Sequence, residues 1–135
     1  MSDWISSKSP SSSADELGPL QLAWLGDAVW ELHHRLRRCD FPASSKDLHL
    51  SVVSEVKASS QAAALLSLNP HLLEEEKDFV RRGRNKAGQG PKNVSPATYA
   101  KATGFETMIG WLFLKNPPRL AQLLDRLEES EFDQL

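Results

Sequence analysis

The chain has 135 residues, 40% of them hydrophobic and 25% charged, the make-up of one soluble globular domain rather than a fibrous or disordered chain. With 16 Lys and Arg against 18 Asp and Glu the net charge is -2, so overall charge does not announce a nucleic-acid binder and any such role must rest on local distribution. The single cysteine, Cys39, excludes an internal disulfide and fits a reducing compartment; no apolar run approaches the roughly eighteen residues of a membrane span, the N-terminus has no apolar signal region, and the expected location is the cytoplasm.

Residues 1–15 are serine-rich (Ser6, Ser7, Ser9, Ser11, Ser12, Ser13) with Pro10, and are expected to form a disordered tail before a domain at 16–130. Gly18-Pro19 opens a first helix, Pro19 suiting an early position because its missing N–H is not needed there. The helix runs to about Arg38, with Leu22, Leu25, Val29, Leu32 and Leu36 at helical spacing and expected to face the core. Asp40-Phe41-Pro42 breaks it. Ser44 or Ser45 caps a second helix to about Val53, and Ser54 a third that carries Val56, Ala58, Ala62, Ala63, Leu65, Leu66 and Leu68 before Asn69-Pro70. A fourth spans about Leu72 to Arg82, with Glu74, Glu75 and Glu76 in the first turn, where the helix dipole favours negative charge.

The glycine- and proline-rich stretch from Gly83 to Asn93 reads as irregular. Ser95-Pro96 restarts helix, and Ala97 to Leu114 reads as a second core helix with Phe105, Met108, Ile109 and Leu112 as its stripe. Asn116-Pro117-Pro118 breaks it, a last helix runs from Arg119 to about Glu129, and residues 131–135 form an acidic, frayed end. With no alternating strand pattern and no repeat, the class is all-α.

Two carboxylates stand out on the two core helices. Asp27 follows Gly26 and lies beside an apolar stripe, with Glu31 four residues on. Glu106 lies between Gly104 and Gly110, with Thr103 three residues before it. If the two helices pack together, Asp27 and Glu106 meet, and paired carboxylates in a partly buried cleft bind hard divalent cations. The competing reading is two ordinary carboxylates, solvated or each paired with an arginine. From Val80 to Phe105 there is no acidic residue, while Arg81, Arg82, Arg84, Lys86, Lys92 and Lys101 all lie there. A glycine-rich basic loop can follow a polyanion closely, and its competing reading is a solvated surface loop. Tyr99 and Phe105 read as packing residues. His33, His34, His49 and His71 lack metal-ligand spacing with Cys39, and only His49 is a candidate for a polar role.

Leu22-Ala23-Trp24-Leu25-Gly26-Asp27-Ala28-Val29-Trp30-Glu31 resembles the signature helix of the ribonuclease III family, and Thr103-Gly104-Phe105-Glu106-Thr107-Met108-Ile109-Gly110 its second catalytic helix. Arg82-Gly83-Arg84-Asn85, Pro91-Lys92-Asn93 and Ala102 to Glu106, in that order, resemble its Mini-ribonuclease III subgroup, over about Leu17 to Leu127. The resemblance implies a helical endonuclease domain that acts as a homodimer on double-stranded RNA, with Asp27 and Glu106 as catalytic ligands of Mg²⁺, for which Mn²⁺ can substitute. The wider family has two more acids, where this chain has Ala23 and Thr103. That departure matches the subgroup and implies one principal Mg²⁺, with Glu31 or Thr103 in its outer shell. It also motivates a second reading, a non-catalytic RNA-binding or ribosome-assembly module on the same fold. No separate double-stranded-RNA-binding domain is expected, so Arg81, Arg82, Arg84, Asn85, Lys86, Lys92 and Asn93 are the implied RNA contacts. The implied substrate is the precursor of the large-subunit (23S) ribosomal RNA, and a ribosomal protein that presents it is a further implied partner. Trp24 and Trp30 cannot share one narrow stripe, so one is expected to face the partner subunit.

Overall fold

The computed structural model of the chain describes residues 5–10, 12–40, 46 and 57–133. Among them are five α-helices: α1 (Pro19–Arg38), α2 (Ala58–Leu68), α3 (Glu74–Lys86), α4 (Pro96–Lys115) and α5 (Pro117–Asp133). Short 3₁₀ turns stand at Ser6–Lys8 and Asn69–His71, and no strand occurs among the described residues. The helix expected after Ser44 or Ser45, its successor's cap Ser54, and Val56 and His49 lie outside the described residues.

The fold is built around α4. Its residues from Ala102 to Leu112 are buried with the sole exception of half-buried Glu106, so the helix has no wet face in that stretch. Its start is fixed by Ser95, whose side chain accepts from the Thr98 N–H at 3.1 Å. α1, α2 and α3 all pack on it, the α1–α4 contact being the most extensive. Phe105, Met108, Ile109 and Leu112 are essentially inaccessible, as the sequence spacing predicts.

Glycines set the helix spacing. A Cβ on Gly26 of α1 would lie 1.9 Å from the Glu106 carbonyl oxygen, and one on Gly110 of α4 2.0 Å from the Leu22 carbonyl oxygen. On the opposite side of α4, a Cβ on Gly104 would lie 2.5 Å from the Val80 carbonyl oxygen, and one on Gly83 of α3 2.2 Å from Thr107 Oγ1. Each crossing therefore brings backbone against backbone, a closeness only glycine permits.

That packing revises two sequence expectations. The α1 stripe expected through Leu22, Leu25, Val29, Leu32 and Leu36 holds only in part: Leu22 is fully buried and Val29 packs on the core, but Leu32 and Leu36 are exposed, and Ala23, Gly26, Trp30 and His34 complete the buried face. A close crossing selects small residues, so Leu32 and Leu36 fall outside it. The irregular stretch expected from Gly83 begins only at Ala87, because Gly83 serves a close helix crossing rather than a break, and Arg84, Asn85 and Lys86 are helical. The last helix also starts earlier than expected, at Pro117; the Arg119 N–H is capped by the Asn116 side chain at 3.2 Å. Pro117 and Pro118 fall in the first turn, where no N–H is required.

Ion pairs tie the outer elements on. Arg119 of α5 reaches Glu76 of α3 through Nε at 2.8 Å and donates to the His71 carbonyl oxygen at 2.9 Å. Glu76 also accepts the Leu73 N–H at 2.8 Å. Burial pushes the Glu76 carboxyl up, but the bonds from Arg119 and Leu73 and the guanidinium charge prevail and hold it below the usual range. Asp15 accepts from Trp111 Nε1 at 2.8 Å and from Lys115 Nζ at 2.9 Å, joining the approach to α1 to the far end of α4.

Candidate functional site

The α1–α4 crossing carries both singled-out acids. Asp27 follows Gly26, the residue in backbone contact with Glu106, so the close approach itself brings the two side chains together. Their side chains lie on one cavity wall, close enough to act on each other, and the buried side chain of Gln61 from α2 reaches Glu106 as well. Glu106 is pushed up to about 9, first by burial, then by its hydrogen bond with and the negative charge of Asp27; Gln61 acts the opposite way. At neutral pH Glu106 therefore keeps its proton.

The pair opens into a cavity of ≈ 380 Å³ lined by Leu20, Ala23, Trp24, Asp27, Ala58, Gln61, Tyr99, Ala102, Thr103 and Glu106. Ala23 and Thr103, the two positions where the sequence departs from the acid pattern it resembles, both lie on this wall. Thr103 turns its hydroxyl inward to the Tyr99 carbonyl oxygen at 2.9 Å, so it does not present a free donor to the acid pair. Glu31 is not on the cavity wall; Arg35 holds its carboxylate with Nη2 at 2.5 Å and Nε at 3.1 Å. Among the described residues no third Asp, Glu, His or Cys clusters with Asp27 and Glu106.

The predicted basic set divides. Arg81 and Arg82 both pair with Asp78, Arg82 at 2.8 Å, and Arg82 also lies over the Phe79 ring. Arg84, Asn85, Lys86, Lys92 and Asn93 are exposed, and the three cations among them make no ion pair with a described residue. The loop after α3 folds back on the site: Gly90, at φ 75°, sits so close to the Tyr99 ring that a Cβ there would lie 2.5 Å from it. Tyr99 is thus both cavity wall and support for the basic loop.

Sequence reasoning missed Gln61. The signal was available: Ala58, Gln61, Leu65 and Leu68 fall at helical spacing on one face, and a glutamine in an apolar stripe needs a polar partner.

A helical domain with an acid pair at the crossing of its core helices, beside a basic arm, is the form of a ribonuclease III domain, and the Ribonuclease III domain family matches residues 20–117. Relatives named Mini-ribonuclease 3 are 46% identical in a Synechococcus strain, over 90% of this chain and 88% of theirs, and 48% identical in Gloeobacter violaceus, over 80% of each. A crystal structure of a Fusobacterium nucleatum protein superposes with a TM-score of 0.80 at 28% identity, covering 89% of this chain and 99% of that one. The chain belongs to the Mini-ribonuclease 3 group of the ribonuclease III family. It is an endoribonuclease, a hydrolase of phosphodiester bonds in double-stranded RNA, the first of the two readings of the sequence.

Proposed function

We propose that Asp27 and Glu106 are the catalytic pair, that together they hold Mg²⁺ (or Mn²⁺), and that the RNA strand is cut in the cavity they open into. The observation that carries this is the meeting of the two acids on one cavity wall, where the backbone of Gly26 touches that of Glu106. Two carboxyls are hard oxygen donors of the kind Mg²⁺ takes, and a cation would offset the burial and the Asp27 charge that keep a proton on Glu106. When bound, the ion supplies an ionised water as nucleophile and offsets charge on the reacting phosphate. Gln61 orients the Glu106 carboxyl, and the Gly26–Glu106 backbone contact fixes its distance from Asp27. Of the two residues expected in the outer shell, Thr103 stands on the cavity wall with its hydroxyl oxygen still able to accept, whereas Glu31 lies off the wall and pairs with Arg35.

The RNA-facing set is Arg84, Asn85, Lys86, Lys92 and Asn93, with Arg81 and Arg82 contributing less because Asp78 already neutralises them. A duplex would be held mainly through phosphate and 2′-hydroxyl contacts. Leu20, Trp24, Leu32 and Leu36, with Ala28, recur every fourth residue along α1 and are all exposed. Such a stripe suits a second copy of the chain, and Trp24 rather than Trp30 is the tryptophan that meets it. Leu20 and Trp24 also line the acid cavity, so a homodimer would bring its interface to the edge of each site. The substrate we assign is the large-subunit (23S) ribosomal RNA precursor, in the cytoplasm, with a ribosomal protein as presenting partner; among the described residues no helix is long and apolar enough to cross a membrane.

The test is incubation of pure protein with a uniform RNA duplex, with and without Mg²⁺, beside Asp27→Asn. Metal-dependent cleavage by the wild type and none by a folded Asp27→Asn protein is expected. Cleavage by that variant at the wild-type rate refutes the assignment.

A further inference from the structure

A second cavity, of ≈ 350 Å³, lies on the same seam between α2 and α4 as the acid cavity. The acid cavity takes Ala58 and Gln61 from α2; the second takes Ala62, Ala63, Leu65, Leu66 and Asn69, the turns that follow directly. On α4 the two cavities interleave, the second using Thr98 and Lys101 and the first Tyr99, Ala102, Thr103 and Glu106. Lys101 and Glu106 are five residues apart, a rise of about 7.5 Å along the helix.

The second cavity has the chemistry of an anion site. Two cations line it, Arg84 from α3 and Lys101 from α4, and no acidic residue does. Among the described residues neither cation has a carboxylate partner, in contrast with Arg81 and Arg82 one turn away. Arg84 is steered here by the α3–α4 crossing: a Cβ on Gly104 would lie 2.8 Å from Arg84 Cγ, so the arginine stem lies directly over that glycine. Thr98 accepts the Ser95 hydroxyl at 2.9 Å, which leaves its own hydroxyl proton for a ligand. Two like charges converging on an alanine- and leucine-lined floor repel each other until an anion lies between them.

We propose that Arg84 and Lys101 form a phosphate subsite that grips the RNA strand next to the phosphate held at Asp27 and Glu106. This rests on the reading that the acid cavity cuts RNA. The subsite would set the strand's register across the acid pair, with Lys101 as its second charge.

The experiment measures binding of a uniform RNA duplex to the full chain in EDTA across a range of salt. Lys101→Gln is expected to weaken binding and to lower the slope of log affinity against log salt by about one, and Arg84→Gln/Lys101→Gln by about two. Lys101→Arg should retain the wild-type slope. Arg82→Gln, whose charge is already paired, should change it least. A Lys101→Gln protein with wild-type slope and affinity, while wild type still cleaves duplex with Mg²⁺, overturns the subsite alone. A wild type that cleaves no duplex overturns the underlying reading, and the subsite with it.

Discussion

Replacing Gly26 by alanine tests whether the α1–α4 contact builds the site. The new Cβ would lie 1.9 Å from the Glu106 carbonyl oxygen, whereas ordinary contact starts at 3.4 Å, so the helices must separate locally by the difference, about 1.5 Å. The obstacle is backbone on both sides, which cannot swing away as a side chain can. Overpacking of this kind costs roughly 1–3 kcal/mol, and a rigid obstacle places it near 3. Alanine regains about 1 kcal/mol of helix propensity. The net loss is about 2 kcal/mol, a fall in Tm of roughly 8 °C for a domain between the sizes for which about 4 °C per kcal/mol holds. Because the displaced residue carries Glu106, activity should suffer more than stability, on the order of a hundredfold for an ångström-scale misplacement. Thermal unfolding by circular dichroism and duplex cleavage measured at a temperature where the variant is folded check both halves. Gly88→Ala, which meets nothing within 4 Å, is the control and should leave both unchanged. A Gly26→Ala protein that melts and cleaves as wild type refutes the reasoning.

Arg119→Ala leaves Glu76 buried without its cation and should cost about 3–5 kcal/mol, read from denaturant unfolding, with α5 losing its anchor to α3. In metal-free protein, Glu106 holds its proton more tightly folded than unfolded, with a value raised from 4.5 to about 9. Its contribution to stability is therefore whole below pH 4.5 and lost as pH rises toward 9, so in EDTA the Tm of Glu106→Gln should exceed wild type near pH 9 and converge with it near pH 4.5. Glu76 has the opposite sign: its value is lowered, so its contribution is present above the ordinary carboxylate range and lost on acidification, a loss that Glu76→Gln should remove from the acid limb of the stability profile. Leu32→Asp combined with Leu36→Asp changes two exposed positions outside the acid cavity and should shift sedimentation from dimer to monomer with helicity unchanged.

The central helix and the meeting of Asp27 with Glu106 could be read from sequence because glycine beside a carboxylate on each of two apolar helices marks a close crossing. The same logic shows why α1 was misdrawn. Hydrophobic spacing points to where leucines are, but a glycine-mediated contact buries Ala23 and Gly26 and leaves Leu32 and Leu36 outside, available to another molecule. Gly83 misled for the same reason: glycine as a helix breaker and glycine as a contact residue look alike until Thr107 is seen against it. The division of the arginines was half legible. Arg81 and Arg82 stand three and four residues after Asp78 within the expected helix, whereas the seat of Arg84 over Gly104 required knowing that helix continues through Lys86.

The most direct test of the acid pair is calorimetric titration of Mn²⁺ into metal-free protein at neutral pH, in two buffers of different ionisation heat. Wild type should bind the ion and release a proton, the one held on Glu106, and Glu106→Gln should lose both the affinity and the release. Binding of equal strength by Glu106→Gln, or binding by wild type with no proton released, would contradict the account.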